Sequence, residues 1–238
     1  MTVLRAEGLH KRFSGVIAVK DVDLRVAEGE LLGLFGPNGA GKTTVFNLIA
    51  GAFYPDKGHI RLNDEEITRL PAFRRARLGI GRTFQVVRPF RSLSVLENVL
   101  ATVPSDDATA RHDAETAFEL LSRVGLAERA HDPAGELTLG MLKRLEVARA
   151  LALAPRLLLL DEPIAGLTTR EAGELLKFIR SLKARTSVVM VEHNVRLALP
   201  ICDRAVVMDA GMVIAEGTPA EIRVHPEVVR AYLGEAAE

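Results

Sequence analysis

Short apolar runs closed by glycine alternate along this chain with segments whose apolar positions recur at helical spacing. Near the start, Val3, Arg5 and Glu7 alternate with Leu4, Ala6 and Gly8, and residues 16–26 alternate again before Gly29. Both read as strands of an N-terminal antiparallel β-subdomain. Residues 31–35 form an apolar run stopped by Gly36-Pro37-Asn38-Gly39, which predicts a buried strand entering a glycine-rich loop. Val45, Phe46, Leu48 and Ile49 then take helical spacing, Gly51 is the stop, and 58–62 reads as a further strand.

The middle of the chain changes period. Ser94 and Glu97 form a capping box that opens a helix to about residue 101, and 104–107 reads as a loop. Ala114, Ala117, Phe118, Leu121 and Val124 make one apolar helical face ended by Gly125. This predicts a helical subdomain at about 90–137, inserted into an α/β core. Alternation of strand and helix then returns. Leu142, Leu145, Ala148 and Leu151 give a helix, 157–161 a strand, 168–183 a helix, and 187–191 a β-branched strand. Residues 205–208 and 212–215 flank Asp209-Ala210-Gly211 as a hairpin, and Thr218-Pro219-Ala220-Glu221 opens short terminal helices. The expected fold is one α/β domain over 1–238 with a mostly parallel sheet.

Composition narrows the function classes. Hydrophobic residues are 48% and charged residues 26%, a globular balance. Basic and acidic residues both number 31, so nothing in the charge favours a nucleic-acid partner. The single cysteine, Cys202, excludes an intramolecular disulfide and reads as a small buried side chain. The start carries Arg5, Glu7 and Lys11, unlike a signal peptide, and runs such as 157–160 fall far short of the ~20 residues of a membrane span. A cytoplasmic chain is expected, reaching any membrane through a partner.

The strongest motif is Gly36-Pro37-Asn38-Gly39-Ala40-Gly41-Lys42-Thr43, a G-x-x-x-x-G-K-T between a predicted strand and a predicted helix. Glycines let successive N–H groups turn inward as a phosphate nest at a helix N-terminus. Lys42 suits the β- and γ-phosphates, and the Thr43 hydroxyl suits Mg²⁺. A second element, Leu157-Leu158-Leu159-Leu160-Asp161-Glu162, delivers two acids at a strand end. Asp161 suits the Mg²⁺ shell through water, and Glu162 suits the base that deprotonates attacking water. Gln85 suits the metal or the water, and His193, after another strand, suits the γ-phosphate. Taken singly, a strand-end histidine such as His193 would read as a satisfied surface or core residue.

On these motifs, in this order, the chain resembles the ATP-binding subunits of ABC transporters over essentially its whole length. The resemblance implies a P-loop NTPase core that binds and hydrolyses ATP with Mg²⁺. It assigns the phosphate loop to 36–43 with Thr44 following, the Walker B pair to Asp161 and Glu162, the Q-loop glutamine to Gln85 and the switch histidine to His193. It also assigns to Phe13 the adenine-stacking role, against the alternative of a packed strand residue. A narrower likeness, carried by Gly81-Arg82-Thr83-Phe84-Gln85, by residues 89–98 and by 216–235, is to the branched-chain amino-acid importers. Urea, amide and lipopolysaccharide systems share much of that pattern.

The family's signature, usually L-S-G-G-Q, corresponds here to Leu137, Thr138, Leu139, Gly140 and Met141. Leu139 replaces a glycine, and Met141 brings a thioether, a weak acceptor that cannot donate. Thr168 stands where many relatives place aspartate or asparagine, and its spacing to Glu171 suits a helix cap instead. The resemblance further implies a split ATP site in a dimer, homomeric or with a sister ATPase. It implies integral membrane permeases fed by a substrate-binding protein, on the inner face of the membrane. Two other readings are an ABC ATPase outside transport, such as an iron–sulfur assembly factor, and a P-loop kinase. Asp161, Glu162, Gln85 and His193 oppose the kinase, because they position water and not an acceptor hydroxyl.

Overall fold

The computed structural model describes residues 1–85, 87–102 and 110–234; the predicted loop at 104–107 lies outside them. Along the chain come β1 (Thr2–Phe13), β2 (Val16–Ala27), β3 (Leu31–Phe35), α1 (Lys42–Ala50), β4 (Lys57–Leu62) and β5 (Glu65–Glu66). Then follow α2 (Ala72–Arg77), β6 (Ile80–Arg82), α3 (Val95–Leu100), α4 (Ala110–Arg123), α5 (Leu139–Leu151), β7 (Leu157–Asp161) and α6 (Thr169–Leu182). The rest comprises β8 (Ser187–Val191), α7 (Val195–Ala198), β9 (Arg204–Asp209), β10 (Met212–Gly217), α8 (Pro219–Val224) and α9 (Pro226–Gly234).

Among the described residues these strands make two sheets. A four-stranded antiparallel sheet runs β2-β1-β4-β5, and a six-stranded sheet runs β10-β9-β3-β8-β7-β6. In the second, β9, β3, β8, β7 and β6 are parallel and only β10 turns back. That return follows from Ala210 and Gly211, which hold φ of 45° and 81°, the two positive angles a tight hairpin turn requires.

Both faces of the parallel sheet are covered, which explains why its strands read as unbroken apolar runs. Leu32, Leu34, Leu157, Leu159, Val189 and Val191 face one layer with α1 and the antiparallel sheet. Their neighbours Leu31, Phe35, Leu158, Leu160, Val188 and Met190 face α6 and the C-terminal helices. A third apolar cluster joins α3, α4 and α5. On α4 the buried face is Ala117, Leu120, Leu121 and Val124, whereas Phe118, expected on that face, is 44% exposed. Position 118 lies about 100° round the helix from 117, outside the i, i+3, i+4, i+7 stripe.

The three predicted capping boxes form: Ser94 with Glu97, Thr168 with Glu171, and Thr218 with Glu221. Cys202 is buried in the second layer, where loss of solvent pushes its thiol up to about 12, so it stays protonated and inert.

Candidate nucleotide and catalytic site

The strand order β3-β8-β7-β6 places four chain segments side by side at the C-terminal edge of a parallel sheet. They are the loop from Gly36, the pair Glu192-His193, the pair Asp161-Glu162, and Thr83 to Gln85. Register confirms the alignment, with Leu34 opposite Val191 and Asp161 opposite Val191. Ligands of open α/β sheets bind at this edge.

The loop is tightly boxed. Gly36 has φ 142°, and a Cβ there would lie 2.1 Å from the Met208 carbonyl oxygen. Gly41 has φ 96°, and its Cβ would lie 2.4 Å from the Ala18 carbonyl oxygen on β2. Any side chain at either position would collide with backbone. The hairpin turn adds a strap, since Gly211 N–H donates to Ala40 O at 3.1 Å and Lys20 N–H donates to Gly211 O at 2.9 Å. No side chain caps α1, so its first-turn N–H groups point along the axis into the loop. Lys42 is buried and its Nζ donates to Gly36 O and Pro37 O, each at 2.7 Å.

The polar residues converge on Glu162. Gln85 Nε2 donates to Glu162 Oε2 at 3.1 Å, and His193 Nε2 lies 2.5 Å from Glu162 Oε1. Glu162 sits at φ 48°, in the left-handed region, at a cost of about 1–2 kcal/mol for a residue with a side chain. Its backbone is held on both sides. Its N–H donates to Val191 O at 2.9 Å, and its carbonyl accepts from Lys143 Nζ at 3.0 Å.

Asp161 is 4% exposed, and burial followed by the Glu162 charge pushes its carboxyl above the usual range. Its N–H donates to Thr83 Oγ1 at 3.1 Å, while the buried Oδ1 has no hydrogen-bond partner among the described residues. Thr43, Gln85 and Asp161 line one open groove of about 700 Å³.

Three contributors escape motif reading. Lys143, buried on α5, donates to the carbonyls of both Gln85 and Glu162, at 3.3 and 3.0 Å. Glu146, one turn further and also buried, accepts the Phe84 N–H at 2.9 Å. Both tie the helix after residues 137–141 to the site, and their only sequence signal is charge inside a helix flanked by apolar positions.

Glu192 is the third. Its Oε1 accepts the Ile164 N–H at 2.9 Å, linking the strand end before His193 to the segment after Glu162. Burial raises its carboxyl to about 7 from 4.5. Between those values the folded chain holds the proton that the unfolded chain has lost, so this group stabilises most below pH 4.5 and its contribution is lost as pH rises through about 7. Glu192→Gln should remove that slope, read as urea midpoints from pH 4.5 to 8; an unchanged slope would place it elsewhere.

Phe13 ends β1, 38% exposed, with its ring edge-on to Phe53 at 5.3 Å and 72°. At 137–141, Thr138 caps α5 by accepting the Met141 N–H at 3.4 Å, and Leu139 is 46% exposed. A Cβ on Gly140 would lie 2.9 Å from Glu171 Oε1, so this glycine permits close packing onto α6.

A fold with this edge, phosphate loop and paired acids defines a P-loop ATPase of the ABC class. Residues 19–165 match the ABC transporter family, and the chain belongs to it. Residues 212–238 match the branched-chain amino acid ATP-binding cassette transporter family. The chain is 41% identical over 98% of both lengths to the high-affinity branched-chain amino acid transport ATP-binding proteins BraF of Pseudomonas aeruginosa and LivG of Escherichia coli K12. It is also 42% identical to the lipopolysaccharide export ATP-binding protein LptB of Acidithiobacillus ferridurans, over 98% and 97% of the two chains.

Among solved structures, the ADP conformation of MJ1267, an ATP-binding cassette of an ABC transporter, superposes with TM-score 0.91 at 31% identity, covering 98% and 99%. The dimeric post-hydrolysis state of the cassette MJ0796, bound to ADP and Pi, gives 0.80 at 25% identity over 91% and 98%. The protein is thus a nucleotide-binding, ATP-hydrolysing cassette. None of its helices, among the described residues, is long and apolar enough to cross a membrane.

Proposed function

We propose that this chain is the motor subunit of an ABC importer for branched-chain amino acids or similar small polar solutes. The match of residues 212–238 to the branched-chain family is the observation that carries the solute class. The named relatives are transporter ATPases, which favours transport over a soluble assembly role.

The proposed site takes ATP phosphates on Gly36, Pro37, Asn38, Gly39, Ala40, Gly41, Lys42, Thr43 and Thr44, with adenine on Phe13. Mg²⁺ would be held by Thr43, Gln85 and Asp161. A hydroxyl, an amide oxygen and a carboxylate are hard oxygen donors, and the unpartnered Asp161 Oδ1 fits such a cation. Bound there, the cation would neutralise charge building on the phosphates. Glu162 takes the proton of the attacking water, Gln85 orients that carboxylate, and His193 stands between it and the γ-phosphate. The burial that lifts Asp161 lowers the local dielectric around that carboxylate and strengthens its attraction for a cation.

The second half of each site would come from residues 137–141 of another ATPase, identical or sister. Dimerisation then couples to the single-domain cassette, with its helical part at about 90–137 moving against the core. The groove beside Gln85, lined by Phe73, Phe84 and Arg149, would take a helix of an integral membrane permease. The chain would sit in the cytoplasm on the inner membrane face, with a substrate-binding protein supplying solute and no nucleic acid involved.

Affinity purification of the tagged chain should recover permeases, and vesicles holding that complex should hydrolyse ATP faster with leucine-loaded binding protein. Recovery of soluble scaffold proteins, or stimulation by lipopolysaccharide and not by amino acid, would overturn this reading.

A further inference from the structure

The first N–H of the phosphate loop already has an acceptor. Gly36 donates it at 2.7 Å to the hydroxyl of Tyr232, 196 residues further along. Tyr232 lies on α9, inside the segment that matches the branched-chain family. Its ring packs on the apolar layer that holds Ile222 and Val228.

Gly36 is thereby gripped from three directions. Tyr232 takes its N–H, Lys42 Nζ donates to its carbonyl at 2.7 Å, and Met208 O blocks the space where a Cβ would stand. The same residue whose carbonyl anchors the Lys42 ammonium is therefore tied through its N–H to the C-terminal helix. Sheet register holds the loop on the β9 side, while the Tyr232 hydroxyl's bond to Gly36 can be removed by one substitution.

From this we infer that Tyr232 is a positioning residue for nucleotide: through Gly36 it keeps the phosphate loop in its accepting form, making α9 a determinant of ATP affinity. The inference rests on ATP binding at this loop and not on the solute. The bond lies within the chain and reaches the loop through the Gly36 backbone, so it acts by preorganisation. Nucleotide binds only the fraction of chains whose loop is competent, and apparent affinity scales with that fraction. Losing one hydrogen bond shifts such an equilibrium by about fivefold, and with the competent loop the minority form the affinity falls by the same factor.

Tyr232→Phe keeps the ring and removes the acceptor. Calorimetric titration of the full chain with ADP and with MgATP should show about fivefold weaker binding of both. Steady-state turnover should show KM raised by the same factor with kcat unchanged. A purely structural tyrosine would lower the melting temperature of the nucleotide-free chain and leave both affinities alone. Affinities within twofold of the parent would overturn the inference while the ATP site stands. A parent chain that bound no nucleotide would overturn the site and the inference together.

Discussion

Glu162→Gln should reduce ATP turnover by about 10²–10⁴-fold, the range expected when a general base is removed. The substitution is isosteric, so the loop from Gly36 to Thr43 keeps its contacts and nucleotide affinity should stay within a few-fold of the parent. What disappears is the acceptor for the water proton and the carboxylate on which Gln85 and His193 converge. The Glu162 charge also contributes to the raised Asp161 carboxyl, so Asp161 should ionise more readily in the variant. Bound ATP that is not turned over should accumulate an associated dimer. Single-turnover hydrolysis and light scattering, with and without MgATP, read the two halves of this expectation. A variant that retained a tenth of parental turnover would remove Glu162 from the proposed role.

Arg75→Met should cost about 3–5 kcal/mol of stability, the level reached when a buried hydrogen-bond network is broken. Arg75 is fully buried, and its guanidinium faces carbonyls. Nη1 donates to Leu48 O at 2.6 Å and Ile49 O at 2.8 Å, Nη2 to Thr68 O at 2.9 Å, and Nε to Leu70 O at 2.8 Å. Leu48 and Ile49 lie in the last turn of α1, whose carbonyls lack i+4 donors within the helix and carry the negative end of its dipole; besides Arg75, Leu48 O has the long 3.3 Å bond from the Gly51 N–H. Burial lowers the guanidinium to about 10, which leaves it charged at neutral pH. Methionine fills similar space and removes the side-chain donors from all four carbonyls, leaving Leu48 O the Gly51 N–H at 3.3 Å. At ~2–4 °C per kcal/mol for a domain of this size, the melting temperature should fall by about 10 °C. Arg75→Lys should recover part of that. A loss under about 1 kcal/mol would mean that water replaces the guanidinium at no cost.

The long regular features were legible from the chain because each had two agreeing signals. The strand at 157–161 combined an apolar run with its acidic end, and the helices after Ser94, Thr168 and Thr218 carried both cap partners. The segments that escaped had neither. The helix α2 reads Ala-Phe-Arg-Arg-Ala-Arg, with Phe73 exposed and the buried residue an arginine, so no apolar period marks it. The strand β6 spans three residues around Gly81, too short to alternate, and exists because β7 supplies its ladder. At the site, Gly36 to Thr43, Asp161 and Glu162 follow from local sequence, whereas Lys143, Glu146, Glu192 and Tyr232 act through distant partners. Their roles depend on which strands become neighbours, and no local window contains that.

The left-handed backbone at Glu162 makes that position a place where robustness and chemistry pull apart. Glycine would adopt φ 48° freely, and asparagine nearly so. Either would also relieve the like charge beside Asp161. A laboratory lineage bred only for survival at high temperature would drift toward those residues at 162, and its hardiest descendants would be inert.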